Sequence, residues 1–275
     1  MAEGATESIV YEPVQPGSGR ARRPDRRKGI GAALAALGAV ALKAKSLLLV
    51  LPKLKLLTTF GSALISIGAY ALIWGLPFAA GFVALLFLHE LGHVIQLRRE
   101  GVKASAPMFI PFLGAVIAAK SMGRDAAAEA RVGLAGPVLG SVASLAPLVA
   151  WLATGDDFWR ALAYIGFFLN LLNLLPVLPL DGGRAMAALT PWMWFAGFAA
   201  LVALAFFFPN PILLLVIVFG GLESWRRWKL RHTPEGRSYH AIPGRTRALV
   251  AAAYIGLAAL LAVGVAETYF PRSIG

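Results

Sequence analysis

His89 and His93 stand four residues apart, with Glu90 next to the first, in the order His89-Glu90-Leu91-Gly92-His93. On a helix this spacing sets the two imidazoles about 40° apart and one turn above each other, so both reach one metal ion. The carboxylate between them can hold a water against that ion, which is the residue set of zinc-dependent hydrolysis. Five residues with three fixed recur by chance in unrelated chains. Position and a further ligand must decide what this one means.

A catalytic zinc site takes a third protein ligand and leaves a fourth position for water. The stretch Asn173-Leu174-Leu175-Pro176-Val177-Leu178-Pro179-Leu180-Asp181-Gly182-Gly183-Arg184 offers that ligand in Asp181. Its prolines stop a helix, and the backbone groups they free need a polar cavity. The paired glycines predict a tight turn after Asp181. Asn173 shares the cavity if its helix runs to Leu175, and its amide would then donate to an oxyanion. The competing role for Asp181 is to cap a helix beginning near Gly183. The chain has no cysteine, so any metal is held by histidine and carboxylate.

The elements that must position these groups are apolar. Of 275 residues, 58% are hydrophobic and 15% charged, and the mean hydropathy is +0.70; a soluble domain is nearer about a quarter charged. The net charge of +12 sits in basic residues that flank apolar runs rather than in an aromatic-laced stripe, which speaks against nucleic acid as a partner. The fold class expected is an all-α polytopic membrane protein of six to seven transmembrane helices, with a re-entrant, partly extended (β) segment near the active site. Two histidines and a carboxylate inside a bilayer are costly, and they point to function by default.

Along the chain, residues 1–28 carry mixed charge with no apolar period and read as a disordered cytosolic tail. Residues 29–57 read as an interfacial amphipathic segment, its lysines in the headgroups and Pro52 breaking it. The core is expected over 58–190, a helical hairpin over 191–225, a basic cytosolic loop over 226–247, and a last transmembrane helix with a short tail over 248–275. The spans expected are 58–74, 78–97, 132–154, 160–175, 191–208, a short 211–222, and 248–265. With the N-terminus in the cytosol, 24 of the 26 Lys and Arg residues fall on the cytosolic side. His93, five residues before Arg98, and Asp181, three before Arg184, then lie roughly 5–15 Å from the cytosolic basic residues. Two sites 88 positions apart thus share a side and a depth.

Between the second and third spans, the stretch from Ser105 to Ile117 is apolar but holds Pro107, Pro111 and Gly114. With cytosolic residues on both sides it must dip in and return, and irregular backbone at membrane depth survives only against protein or a wet cavity. An extended peptide could pair with such a strand edge by β-addition. Phe109, Ile110 and Gly114, together with Asn173, are the candidate substrate-binding residues.

The ordered pair of motifs resembles the site-2 protease family of intramembrane zinc metallopeptidases, peptidase family M50. The likeness rests on His89-Glu90-Leu91-Gly92-His93, on Ala135-Gly136-Pro137 in the next span, and on the run from Asn173 to Gly183. It implies that His89, His93 and Asp181 ligate one zinc ion per chain and that Glu90 is the general base. It implies that Asn173 contacts substrate or the oxyanion, and that the Phe109–Ile117 region matches a re-entrant sheet. The substrates implied are single-span membrane proteins, cut near the cytosolic side of the bilayer. One departure is visible: the family often has Asn three residues after the Gly-Pro pair, where this chain has Gly140. The 31 residues from Glu100 to Ala130 and the 22 from Arg226 to Arg247 are too few for an inserted PDZ or CBS domain, so a compact form is expected. The composition leans towards a prokaryotic plasma membrane. Two readings compete: a membrane metal-ion transporter, which would need a polar path that the outer halves of these spans lack, and a catalytically silent binding protein of the same fold.

Overall fold

The computed structural model describes residues 55–121, 123–190, 192–207 and 211–269. The expected tail over 1–28 and the expected interfacial segment up to residue 54 lie outside the described residues. Within them, the order is α1 (Lys55–Trp74), α2 (Leu76–Arg99), β1 (Met108–Ile110), β2 (Gly114–Val116), α3 (Ala126–Thr154), α4 (Asp157–Asn173), α5 (Asp181–Leu189), α6 (Trp192–Phe207), α7 (Pro211–Leu230), α8 (Pro234–His240) and α9 (Gly244–Thr268). The described residues are mostly helical, and the one small sheet among them falls where Pro107, Pro111 and Gly114 argue against a straight helix.

Local signals set the helix ends. Gly75, at φ +81°, turns the chain between α1 and α2, and Pro77 sits in the first turn of α2, where no helical N–H is needed. Asp125 caps α3 by accepting from the Ala128 N–H at 2.8 Å, and Asp156 caps α4 through the Phe158 N–H at 2.9 Å. Gly155, at φ +68°, closes α3 in the left-handed conformation. The helix α4 stops at Asn173, with Leu174 as its C-cap, two residues short of the expected Leu175.

Among the described residues, three helices, α2, α3 and α9, are long and apolar enough to cross a membrane. The apolar stretches 58–74 and 192–207 are shorter. The helix α7 runs past the expected end at 222 to Leu230, because Glu223 pairs with Arg226 and Arg227 one turn on and keeps the charged end helical. The helix α5 follows directly from the irregular segment that carries the prolines.

The central element is α3, which packs against α2, α4, α5 and α9. Small residues allow this: Ala126, Ala127, Ala128, Ala130 and Gly136 are all buried along it. One buried cluster joins α3, α4, α5, α6 and α9 through Leu134, Phe167, Met186, Trp194 and Leu261. A second joins α1 and α2 to the sheet through Tyr70, Phe82, Leu86 and Phe109.

The sheet is an antiparallel hairpin with register Met108↔Val116, Phe109↔Ala115 and Ile110↔Gly114. It hangs from α1: Ser62 Oγ accepts from the Phe109 N–H and Tyr70 Oη from the Phe112 N–H, each at 3.0 Å. Those bonds hold Phe112 in its left-handed conformation at the turn (φ 65°).

Two ion-pair nodes tie helix ends together. Glu100, the C-cap of α2, accepts from Arg131 of α3 at 2.7 and 3.1 Å, and this guanidinium holds its carboxyl below the usual range. Glu129 of α3, fully buried, accepts from Arg227 of α7 at 2.7 Å and from the Tyr239 hydroxyl of α8 at 2.5 Å.

Candidate metal centre

The helix α2 carries His89, Glu90 and His93 where it crosses α3. The crossing is close enough that a Cβ on Gly92 would lie 2.3 Å from the Ala135 carbonyl oxygen. A Cβ on Gly136 would lie 2.1 Å from His93 Nε2, so a glycine at 136 is what admits the imidazole. Asp181 arrives from the first turn of α5, and α5 is seated against α3 at Gly133.

Three donor atoms converge. His89 Nε2 and His93 Nε2 are 3.2 Å apart, and Asp181 Oδ2 lies 3.2 Å from the first and 3.1 Å from the second. All three residues are buried, with exposures of 2%, 4% and 5%. A zinc ion bonded at about 2.0–2.1 Å in near-tetrahedral geometry separates its donor atoms by roughly 3.3 Å. The triangle in this fold therefore fits such an ion.

The hydrogen bonds behind the ligands fix which nitrogen faces it. The Nδ1 of His93 lies 2.8 Å from the Val132 carbonyl oxygen, which can only accept, so Nδ1 carries the proton and Nε2 offers its lone pair. The Nδ1 of His89 lies 2.7 Å from Asn170 Oδ1. Asn170 Nδ2 donates to the Gly166 carbonyl at 2.7 Å, which turns the amide oxygen towards His89. Both Nε2 atoms are thus bare lone pairs aimed at a carboxylate oxygen.

The competing role for Asp181 falls away. The N-cap of α5 is Leu180, and no side chain caps that helix. Asp181 Oδ1 instead has Arg184 Nη1 at 3.6 Å. The glycines that follow also serve a different purpose from the one expected. Gly182 and Gly183 lie inside α5, and their need is space: added Cβ atoms would sit 2.0 Å from the Leu174 carbonyl oxygen and 2.4 Å from the Val177 carbonyl carbon. The irregular proline segment packs so closely under α5 that no side chain fits at either position. Its freed carbonyls and those nearby find partners: Tyr254 Oη donates to Leu174 O at 2.5 Å and Trp194 Nε1 to Gly183 O at 2.6 Å.

The donor triangle opens on a cavity of about 370 Å³ lined by His89, Glu90, His93, Leu113, Ala115, Val116, Ile117, Asn173, Pro179, Asp181 and Arg184, among others. Glu90 is half-buried there and makes no hydrogen bond or ion pair among the described residues, so both of its oxygens are open to the cavity. Asn173 lines the same space; one of its amide hydrogens goes to the Leu169 carbonyl at 3.1 Å and the other has no partner among the described residues. Of the candidate strand residues, Phe109 turns into the core at 3% exposure, and Ile110 and Gly114 are half-buried and do not line the cavity. Their neighbours on the second strand, Ala115 and Val116, do.

Sequence reasoning passed over three contributors: Asn170, the Val132 carbonyl and Arg184. Asn170 sits 81 positions from His89 and in no local motif. A backbone carbonyl has no signature at all. Arg184 was visible only as the end of the proline-rich run.

The chain is similar to known zinc metalloproteases. The chain matches the model of peptidase family M50 over residues 77–155 and 151–204. It is 26% identical over 164 residues to "Zinc metalloprotease MJ0392" of Methanocaldococcus jannaschii, covering 58% of this chain and 47% of that protein. It is 34% identical over 143 residues to "Putative zinc metalloprotease Rip3" of Mycobacterium tuberculosis, covering 47% and 35% respectively. A shorter match, 37% over 75 residues, is to "Probable zinc metalloprotease EGY1, chloroplastic" of Arabidopsis thaliana, with 26% and 14% covered. The chain spans less than half the length of each of these relatives.

Proposed function

We propose, for a chain that belongs to peptidase family M50, zinc-dependent hydrolysis of peptide bonds in the transmembrane segments of single-span membrane proteins. The observation that carries this reading is the triangle of two bare imidazole nitrogens and one carboxylate oxygen, with edges of 3.1–3.2 Å, beside a glutamate that makes no hydrogen bond or ion pair among the described residues. His89, His93 and Asp181 would hold one zinc ion, which supplies Lewis-acid polarisation of a carbonyl and lowers the pKa of water.

The chain's own groups do the rest. Glu90 accepts the proton of the attacking water and delivers it to the departing amine. The second amide hydrogen of Asn173 is available to the carbonyl oxygen as it gains charge. A substrate helix has its carbonyls locked in hydrogen bonds, so it must unwind before attack. The second strand, whose Ala115 and Val116 front the cavity, offers an edge to hold the unwound segment extended. The hairpin is read as re-entrant, and the whole chain as crossing a prokaryotic plasma membrane six to seven times with its N-terminus in the cytosol. The 24-to-2 partition of Lys and Arg supports that orientation and puts the cut near the cytosolic side.

The test uses purified chain, reconstituted with a single-span substrate. Glu90→Gln should keep its zinc and lose cleavage by about 10²–10⁴-fold, the usual worth of a general base. Full cleavage by that variant would overturn the reading. Zinc uptake into the vesicles that depends on His89 and His93 would favour a transporter instead. Comparative membrane proteomics of cells carrying wild type or Glu90→Gln would then name the substrates, as single-span proteins that accumulate with the variant.

A further inference from the structure

We propose that Asn170 is a positioning residue of the metal centre, whose carboxamide sets which nitrogen of His89 is presented to the metal. The inference rests on the metal reading given above.

Asn170 lies on α4, is 2% exposed, does not line the cavity, and meets the ligand set only at the far nitrogen of His89. Both ends of its amide are engaged. The nitrogen donates to Gly166 O at 2.7 Å, and the oxygen meets His89 Nδ1 at 2.7 Å. Because the Gly166 carbonyl can only accept, the amide cannot be reversed without facing two acceptors together. The proton of His89 is therefore held on Nδ1, and Nε2 is left to bind. His93 reaches the same state through the Val132 carbonyl at 2.8 Å. One ligand is oriented by backbone, which no substitution deletes, and the other by a single side chain.

The space for that side chain comes from α3. A Cβ on Gly140 would lie 2.2 Å from Asn170 Oδ1. The glycine that breaks the expected pattern after Gly136-Pro137 is thus the position against which the Asn170 amide is seated. Two helices cooperate: α4 supplies the amide, and α3 leaves room for it.

The test measures zinc affinity of the full chain in detergent, by competition with a chromophoric chelator, alongside the visible spectrum of the cobalt-substituted protein. Three variants are compared. Asn170→Leu removes the acceptor while keeping the branched outline of the side chain. Gly140→Ala keeps Asn170 but drives its oxygen away from His89. Asn170→Asp keeps an acceptor for His89 Nδ1, and its second oxygen, protonated as burial favours, donates to the Gly166 carbonyl in place of the amide nitrogen. The expected result is zinc binding weakened about 10–100-fold in the first two, the usual size of such outer-shell losses, with a shifted cobalt spectrum, and affinity near wild type in the third. Wild-type affinity in Asn170→Leu, or a loss in Asn170→Asp as large as in Asn170→Leu, would overturn the inference. If Asn170→Leu does not fold, the contrast between Gly140→Ala and Asn170→Asp decides in the same way. Wild type that binds no zinc would overturn the metal reading and this inference with it. Wild type that binds zinc no better than Asn170→Leu would overturn this inference alone.

Discussion

Among the described residues, two clusters of ionisable groups centre on buried carboxylates, and they differ in kind. In the cluster of Glu129, Arg227 and Tyr239, donors meet acceptors. Arg227 Nη1 reaches both carboxylate oxygens at 2.7 and 2.8 Å, and Tyr239 adds its hydroxyl. Burial and the Glu129 carboxylate push the Tyr239 phenol far above its usual range, so it stays a donor at any working pH. In the cluster of His89, His93 and Asp181, acceptors meet acceptors: two bare nitrogens and an oxygen converge at 3.1–3.2 Å. The first cluster is closed and holds α3, α7 and α8 together. The second gathers three lone pairs on one point, the arrangement that suits a divalent cation. Burial alone does not mark function; the balance of donors and acceptors does.

That contrast can be broken from either side. The largest effect should come from Gly136→Ala, whose methyl would lie 2.1 Å from His93 Nε2. Zinc loading and cleavage should both be abolished while the helical signal in circular dichroism remains, and a variant that still loads zinc would break the account of the crossing. Next comes Glu129→Ala, which removes the buried side of the Arg227 pairing and takes the acceptor from the Tyr239 hydroxyl, while Arg227 keeps Glu223 at 2.8 Å; the cost is below the about 3–5 kcal/mol of a fully orphaned buried charge. The unfolding temperature in detergent should fall, whereas the folded fraction should bind zinc as wild type does. If its zinc affinity fell by tenfold or more, the two clusters would not be the separate things described here.

The smallest effect concerns the exposed end of α2. The carboxyl of Glu100 is held below its usual range by Arg131, so its contribution to stability is complete above about pH 4.3 and fades as pH falls below that value. Arg131 is 41% exposed, and the pair is worth about 1 kcal/mol or less. Glu100→Gln should lower the unfolding temperature slightly at pH 7 and should also flatten its acid dependence. A variant with the wild-type acid slope would show that this pair contributes nothing.

The sequence carried some of this and not the rest, for reasons that differ by residue. His89, Glu90 and His93 were legible because one helical turn brings them together whatever the rest of the chain does. Asp181 was legible because prolines and a charge at matching depth singled it out. The helices were legible from apolar runs bounded by Gly, Pro and charge, although α7 overran its expected end through side-chain pairs that periodicity does not weigh. Gly182 and Gly183 were noticed for the wrong property. A glycine kept for space and one kept for a left-handed turn are the same letter, and only packing tells them apart. Asn170 and Glu129 were not legible, since their partners lie 81 and 98 positions away and no local pattern links them.

The central claim is that the acceptor triangle holds zinc, and zinc K-edge absorption of the purified wild-type chain tests it most directly. The account predicts one zinc per chain, a first shell of nitrogen and oxygen at about 2.0–2.1 Å, and outer scattering from two imidazoles. A chain purified without zinc that takes up none when it is supplied, or a bound ion with no imidazole scattering, would contradict it.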